Sequence, residues 1–443
     1  MVLLVWRLTV TDWEAEFNGL YNLNRALFNV AVSLAGLVLV YFLMSDKPAR
    51  HKTLTVITTA LTSAFRLFIL EAPALFFGFN YQLIFGTSGT DTALHLSGKV
   101  NKPDPVLIRI HWPDSRFSGE VAGNLVQLGI STDHRYQVDV HYDHNGFRND
   151  QDYTQADIAV IGDSFVEAAI LPREQSLVQL IEDRLGHTAV NLGQIAYGLR
   201  QELEVLERYA LPLKPKLILW VLFGGNDLRD IGYYEWQLEH FDELDKPLPL
   251  KRRLFSYNAF SATTKLFRQG FHLVPKTSRD RALNHSGQFL RADGVTERVY
   301  FGQTTDPWTP HQWQVTIDTL TRANHLSMEN GAEFVVIYVP RKFRVYKDHL
   351  KLLPDHSISS WEITTLAETL GTWCADNDIH FLDTSPHLEK YVSEGIHPYF
   401  IDDVHWNQLG HETATSAITD YLLSESLIHM NEAAAESKNH GIK

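Results

Sequence analysis

The chain is poor in cysteine: Cys374 is the only one in 443 residues, so no disulfide forms within it. That leaves the compartment open, because oxidising compartments favour disulfides without demanding them. Cys374 sits in a helix-like stretch, 361–376, and reads as a core residue. Excess positive charge is missing too. The formal net charge is −14, which argues against nucleic acid as a partner, since phosphates call for a basic face. There is no Gly-x-Ser-x-Gly nucleophile elbow. There is no glycine-rich phosphate loop closed by Lys-Ser/Thr. Internal repeats are absent. What remains suits a folded protein larger than one typical domain, with 44% hydrophobic and 21% charged residues.

Residues 1–85 read as a membrane anchor. The stretch 26–44 carries no charge, and Asn29 is its only strongly polar side chain. That is the length a helix needs to cross the hydrocarbon core. It lies too far from Met1, with too few basic residues before it, for a cleaved signal peptide. A second candidate covers 54–70 and contains Arg66, placed to snorkel to the headgroups if the helix spans. Its alternative is an interfacial amphipathic helix. Phe76, Phe77, Phe79, Tyr81 and Phe85 follow and suit a membrane interface. Lys47, Arg50 and Lys52 lie between the two stretches, which the positive-inside rule assigns to the cytoplasm. Two spans then put the long C-terminal region outside the cytoplasm, and one span would leave it inside. The expectation is two spans and an extracytoplasmic domain.

Residues 86–152 predict a small β-rich connector. Strand character appears at 106–111 and 136–142, punctuated by Pro103, Pro105, Pro113, Gly119 and Gly123. Asn145-Gly146 is a turn signal. Over 153–425 the pattern alternates. Strands are predicted at 157–161, 189–192, 217–223, 334–339 and 379–382, and helices at 175–185, 200–210, 312–329, 358–377 and 408–424. Such alternation implies an α/β fold, a parallel sheet with helices on both faces. The alternation stops over about 231–309, an aromatic and charged insertion expected to be partly helical and near the site mouth. Residues 426–443 are expected to be a disordered tail.

Three short blocks carry chemistry. The apolar run Ile158-Ala159-Val160-Ile161 leads straight into Gly162-Asp163-Ser164-Phe165. Ligands in open α/β sheets sit beyond the carboxyl ends of strands, so Ser164 is placed as a nucleophile. Its duller role is helix capping, with Glu167 three residues on as in a capping box. Gly224-Gly225-Asn226-Asp227 follows another apolar run. The Asn226 amide is a candidate oxyanion donor and Gly224 allows close backbone approach; turn chemistry alone also explains the block. Near the end, Asp402-Asp403-Val404-His405 offers a base, His405, with Asp402 as its partner and Asp403 as the competitor. With 21 histidines an Asp-x-x-His spacing arises by chance. The position after the 379–382 strand and before the last helix is what favours this one.

Taken in order, these blocks resemble the SGNH (GDSL-type) hydrolase superfamily, over Ala156 to about Ser424 without the insertion. Gly162, Asp163 and Ser164 match its first block. Gly224, Asn226 and Asp227 match its third, and Asp402 and His405 its last. The resemblance implies a flavodoxin-like three-layer α/β/α sandwich and a Ser164-His405-Asp402 triad. It implies an oxyanion hole from Asn226 and backbone N–H groups of Ser164 and of a second-block residue. That second-block glycine falls by spacing on Ala196 in Asn191-Leu192-Gly193-Gln194-Ile195-Ala196, with Gly193 the alternative. The chain then resembles bacterial membrane-anchored members, some of which add or remove O-acyl groups on extracellular polysaccharides. The expected activity is ester hydrolysis without metal or organic cofactor. The alternatives are an O-acyltransferase using the same acyl-enzyme, or an inactive glycan-binding module. Two other clusters read more plainly. Asp139, His141, Asp143 and His144 offer metal-ligand types but suit a solvated strand and turn. Arg341, Lys342 and Arg344 suit a solvated basic loop, or a contact for an anionic substrate.

Overall fold

Continuous apolar runs have no polar side to turn to water, so they pair where both faces are covered. Five of them do so in the computed structural model, which describes residues 23–81, 101–127, 135–244, 250–270, 283–302, 308–351 and 357–431. Strands preceding that sheet are β1 (Asn101–Asp104), β2 (Ile108–His111), β3 (Arg116–Ala122) and β4 (Arg135–His141). The sheet itself uses β5 (Ile158–Gly162), β6 (Ala189–Gly193), β7 (Leu217–Phe223), β10 (Glu333–Val339) and β12 (His380–Asp383). Their order is β12-β10-β7-β5-β6, all parallel. Between β7 and β10 lie β8 (Ser286–Leu290) and β9 (Thr296–Tyr300), joined by β11 (Leu350–Lys351) into a small antiparallel sheet.

Successive residues of a strand point to opposite faces, and here they feed two apolar clusters. Ile158, Val160, Leu219 and Val221 pack with Leu177, Ile181 and Ile418. Ala159, Ile161, Ile218 and Trp220 pack with Leu199, Val205, Leu320 and Leu370. Helices Leu177–Leu185 and Gln408–Ser424 therefore cover one face, and helices starting at Leu199, Pro310 and Leu366 the other. This is the three-layer α/β/α sandwich. Two predicted helices are interrupted. The 200–210 helix closes in a π turn, Leu206–Ala210. The 358–377 helix splits into a 3₁₀ turn, Ser357–Ser360, and a helix Leu366–Asp376. Ile363, Thr364 and Thr365 fall in the gap, and β-branched residues lose rotamer freedom in helices.

The chain divides into two units. The first comprises Met1–Thr90, Leu128–Ile130 and Lys246–Arg281, and the second the remainder. In the first unit, helices Leu23–Met44 and Ala49–Phe76 cover both predicted apolar stretches. Among the described residues, Ala49–Phe76 is the one helix long and apolar enough to cross a membrane, and Ala35–Met44 is a shorter apolar piece. The second helix runs past Pro73, beyond its predicted end. Part of the insertion belongs to this first unit. Helix Phe255–Gly270 starts against Glu71, whose buried carboxylate accepts the N–H groups of Phe255 and Ser256 at 2.7 and 2.8 Å. A carboxylate removed from water needs such donors, and a helix N-terminus supplies them. Tyr81 closes the same corner, donating its hydroxyl to the Leu70 carbonyl at 2.6 Å. The predicted tail lies outside the described residues from 432 onward.

Candidate active site

Ser164 opens a one-turn helix, Ser164–Glu167, at the carboxyl end of β5. The turn is tight: a Cβ on Gly162 would stand 2.8 Å from the Val221 carbonyl oxygen, so only glycine fits. Asp163 caps the turn by accepting the Phe165 N–H at 2.9 Å. No capping box forms with Glu167, whose carboxylate is engaged elsewhere. This places the Ser164 hydroxyl 2.7 Å from His405 Nε2. Across 241 residues of sequence, serine and imidazole meet.

The acid on the other side of the ring is Asp403. His405 Nδ1 hydrogen-bonds to Asp403 Oδ1, and the His405 backbone N–H donates to the same oxygen at 2.9 Å. That corrects the pairing expected with Asp402. The reason is local: an aspartate bonds readily to the backbone two residues on, an Asx turn, and Asp403 stands two residues before His405. Asp402 turns away and accepts the Tyr136 hydroxyl at 2.5 Å. Burial alone would lower the His405 pKa, but the Asp403 carboxylate outweighs it and the imidazole is raised above its ordinary value. Burial would likewise raise Asp403; the charge and hydrogen bonds of His405 hold it below the usual carboxylate range. Three other buried carboxyls are driven the opposite way. Asp163 is pushed up to about 6 by burial. Glu202 rises well above the ordinary range through burial and the charge of Asp163, and Asp227 through burial and the charges of Glu202 and Asp163. Environment therefore leaves Asp403 as the ionised acid beside the ring.

Oxyanion donors can be sought by elimination. From 193 to 198 the backbone N–H groups are engaged one after another. Gly193 donates to Asn191 Oδ1, Gln194 to the Gly162 carbonyl and Ile195 to Glu167. Tyr197 donates to the Gln194 carbonyl and Gly198 to Gln201. Among the described residues, Ala196 N–H alone in this run has no protein acceptor. Ala196 is also left-handed, at φ +59°, a conformation that costs an alanine about 1–2 kcal/mol. Gly193 is therefore occupied and Ala196 is free. The Asn226 amide donates one hydrogen to Asp230 Oδ2 at 2.7 Å, and its second N–H stays available. Asp227 braces this turn by accepting the Phe223 N–H at 2.7 Å. Gly224 comes close to Tyr338, where a Cβ would meet the phenol oxygen at 2.3 Å.

Residues 306–442 match the family model described as "SGNH hydrolase-like domain, acetyltransferase AlgX". Over that stretch the chain is similar to the SGNH hydrolase-like family. No curated protein matches it in sequence. Solved structures similar to it include TesA, 15% identical, covering 61% of this chain and 99% of that one at a TM-score of 0.33. A lipase/acylhydrolase from Enterococcus faecalis is 12% identical, covering 62% and 98% at 0.32. A GDSL-like lipase from Bacteroides thetaiotaomicron is 12% identical, covering 60% and 88% at 0.30.

The site leans on residues outside its three blocks. Glu167, fully buried, accepts His111 Nε2 at 3.2 Å, the Tyr142 hydroxyl at 2.7 Å and the Ile195 N–H. It thereby ties the nucleophile turn to the Ala196 loop. Arg148, also buried, donates to the carbonyls of Glu167, Ala168 and Leu171. Those carbonyls belong to the wall of a pocket of about 350 Å³, open to solvent, that reaches Ser164 and His405 and is otherwise lined by residues such as Ala169, Ile170 and Phe400. Lys342 is no solvated loop cation. It is 1% exposed and donates to the carbonyls of Ile401 and Asp403 at 3.0 and 2.9 Å. Arg344 pairs with Glu368. The metal-like cluster is otherwise engaged: Asp139 pairs with Arg116, His144 with Asp114, and Asp143 accepts the N–H groups of Asn145 and Phe147. A buried glutamate three residues after Ser164 was a signal for the hub. The partners from 111, 142 and 148 had none, being too remote in sequence.

Proposed function

We propose that the chain is a membrane-anchored serine esterase of SGNH type acting outside the cytoplasm on an acyl ester, with O-acetylated carbohydrate as the substrate class. The observation that carries it is the continuous Ser164–His405–Asp403 hydrogen-bond chain. His405 Nε2 takes the Ser164 proton as Oγ attacks the acyl carbonyl carbon. The carbonyl electron pair moves onto oxygen, which the N–H groups of Ser164, Ala196 and Asn226 are placed to receive. Collapse breaks the ester bond, and the imidazolium returns its proton to the departing alkoxide. Water then repeats the sequence on the acyl-enzyme. Asp403 holds His405 in the Nδ1–H tautomer and stabilises the imidazolium.

A second reading keeps the acyl-enzyme and replaces water with a carbohydrate hydroxyl. The family model's description as an acetyltransferase domain favours it. Purified full-length protein given a chromogenic acetyl ester, with and without added glycan, separates the two. Turnover independent of glycan supports the esterase, and turnover that requires glycan supports transfer. No turnover, with no labelling of Ser164 by a fluorophosphonate, would refute both and leave the inactive binding module. Anchoring is supported by helix Ala49–Phe76, and the outside orientation requires helix Leu23–Met44 to span as well. A reporter enzyme fused after Lys443 that is active only in the cytoplasm would contradict the orientation.

A further inference from the structure

The β3–β4 connector reaches the acid end of the triad, and no block of the superfamily accounts for that contact. Asp403 gives one carboxylate oxygen to His405. Its second oxygen, Oδ2, accepts the side-chain amide of Asn124 at 2.9 Å. Asn124 stands two residues after β3, and 279 residues separate it from Asp403 in sequence. The same spot is fixed three more times. The Asn124 backbone N–H donates to the Asp402 carbonyl at 3.1 Å. The Tyr136 hydroxyl, from β4, donates to Asp402 Oδ1. Gly123 leaves room for the Asp402 carboxylate, since a Cβ there would lie 1.4 Å from Oδ2.

We propose that Asn124 is a positioning residue for the triad, holding Asp403 so that its other oxygen faces His405 Nδ1. This rests on the serine-hydrolase reading. A carboxylate pinned at one oxygen has lost the rotation that would let it swing away from the ring. It also has its second lone-pair set satisfied, which an ionised buried acid requires. The titratable and charged groups facing Asp403 are His405, Lys342, Asp402 and Tyr136, and among these contacts Asn124 is the neutral amide donor. A neutral donor at this point leaves the charge balance of the His405–Asp403 pair intact.

The test compares detergent-solubilised full-length wild type, Asn124→Ala and Asn124→Asp. It reads the rate at which a fluorophosphonate labels Ser164, and kcat and KM on a chromogenic acetyl ester, across pH. Asn124→Ala is expected to slow labelling and kcat by about 10–100-fold with KM unchanged. Asn124→Asp sets a second carboxyl against Asp403, and the two share a proton at low pH, so the acid limb of the rate profile moves upward by about one pH unit or more. Asn124→Asp is nearly isosteric and keeps the test alive should Asn124→Ala fail to fold. Wild-type rates in Asn124→Ala, or an unmoved acid limb in Asn124→Asp, would overturn the positioning role. Failure of wild-type protein to be labelled at Ser164 would instead sink the serine-hydrolase reading, and the positioning role with it.

Discussion

Replacing Asp403 by asparagine removes one charge and keeps the shape. In the wild type the carboxylate accepts from His405 Nδ1, which fixes Nε2 as the lone-pair nitrogen facing Ser164 at 2.7 Å. An amide has its own N–H groups to offer, so the ring settles in the wrong tautomer and Nε2 carries the proton. Loss of tautomer control in a serine triad lowers kcat on the order of 10⁴-fold, about 5.4 kcal/mol of barrier. Asp402→Asn should cost far less activity, because Asp402 faces Tyr136 and not the ring. Its effect should appear as stability, about 1–3 kcal/mol for a disturbed buried hydrogen bond. The pH profile gives a second readout. His405 must be neutral to act as base, and Asp403 holds its pKa above 6.5. In wild type kcat/KM therefore rises with pH through a midpoint above that of an ordinary histidine. In Asp403→Asn burial loses its strongest opponent, with only the more weakly acting Asp163 and Glu167 left, and the midpoint of the residual activity moves down. The same raised pKa makes His405 stabilising below its unfolded pKa, a contribution lost as pH rises through the folded one. The assay is ester turnover of both variants from pH 5 to 9. Equal losses, or a larger loss in Asp402→Asn, would refute the assignment of Asp403.

Asn226→Ala should lower kcat by about 10²–10³-fold with little change in KM; a wild-type rate removes the amide from the oxyanion hole. Ala196→Gly should keep activity and leave the melting temperature equal or slightly higher, since glycine tolerates φ +59°. Ala196→Pro removes the free N–H and cannot adopt φ +59°, so it should lose at least the roughly 10²–10³-fold of one missing donor, and activity retained in it would exclude this donor. Glu167→Ala strands His111, Tyr142 and the Ile195 N–H and should destabilise by about 3–5 kcal/mol in thermal or denaturant unfolding. Burial would raise the Glu167 pKa, but His111 and the hydrogen bonds hold it below 4.5, so its contribution is present above that pH and fades as pH falls through the folded value. Unfolding curves of wild type and Glu167→Ala that coincide at neutral pH would contradict the hub.

The parts of the fold legible in the sequence are those where one requirement dominates. The five sheet strands are apolar runs that satisfy burial on both faces, and each lies within a residue or so of its predicted bounds. The last helix is delimited by Asn407, whose side chain accepts the Gly410 N–H at 3.1 Å. Ser164, Asn226 and His405 stand out because a strand end followed by a turn exposes side chains for chemistry. Legibility fails where two neighbours compete on equal terms. Asp402 and Asp403 differ by one position, and the choice between them is made by a turn and by Asn124 and Tyr136 across the chain. It fails again for helix Phe255–Gly270, whose first N–H groups are held by the buried Glu71 carboxylate far away in sequence. It fails for Lys342, where a basic triplet looks solvated until the 400–403 loop covers it.

In this mechanism Ser164 carries the acyl group. Intact-mass and peptide mass spectrometry of full-length protein, mixed briefly with an activated acetyl ester and quenched in acid, tests it most directly. The account predicts one acetyl group on the peptide containing Ser164 in wild type, none in Ser164→Ala, and accumulation of the adduct where deacylation is slowed. An unmodified Ser164 in a protein that still turns over the ester, or an adduct that persists in Ser164→Ala, would contradict it.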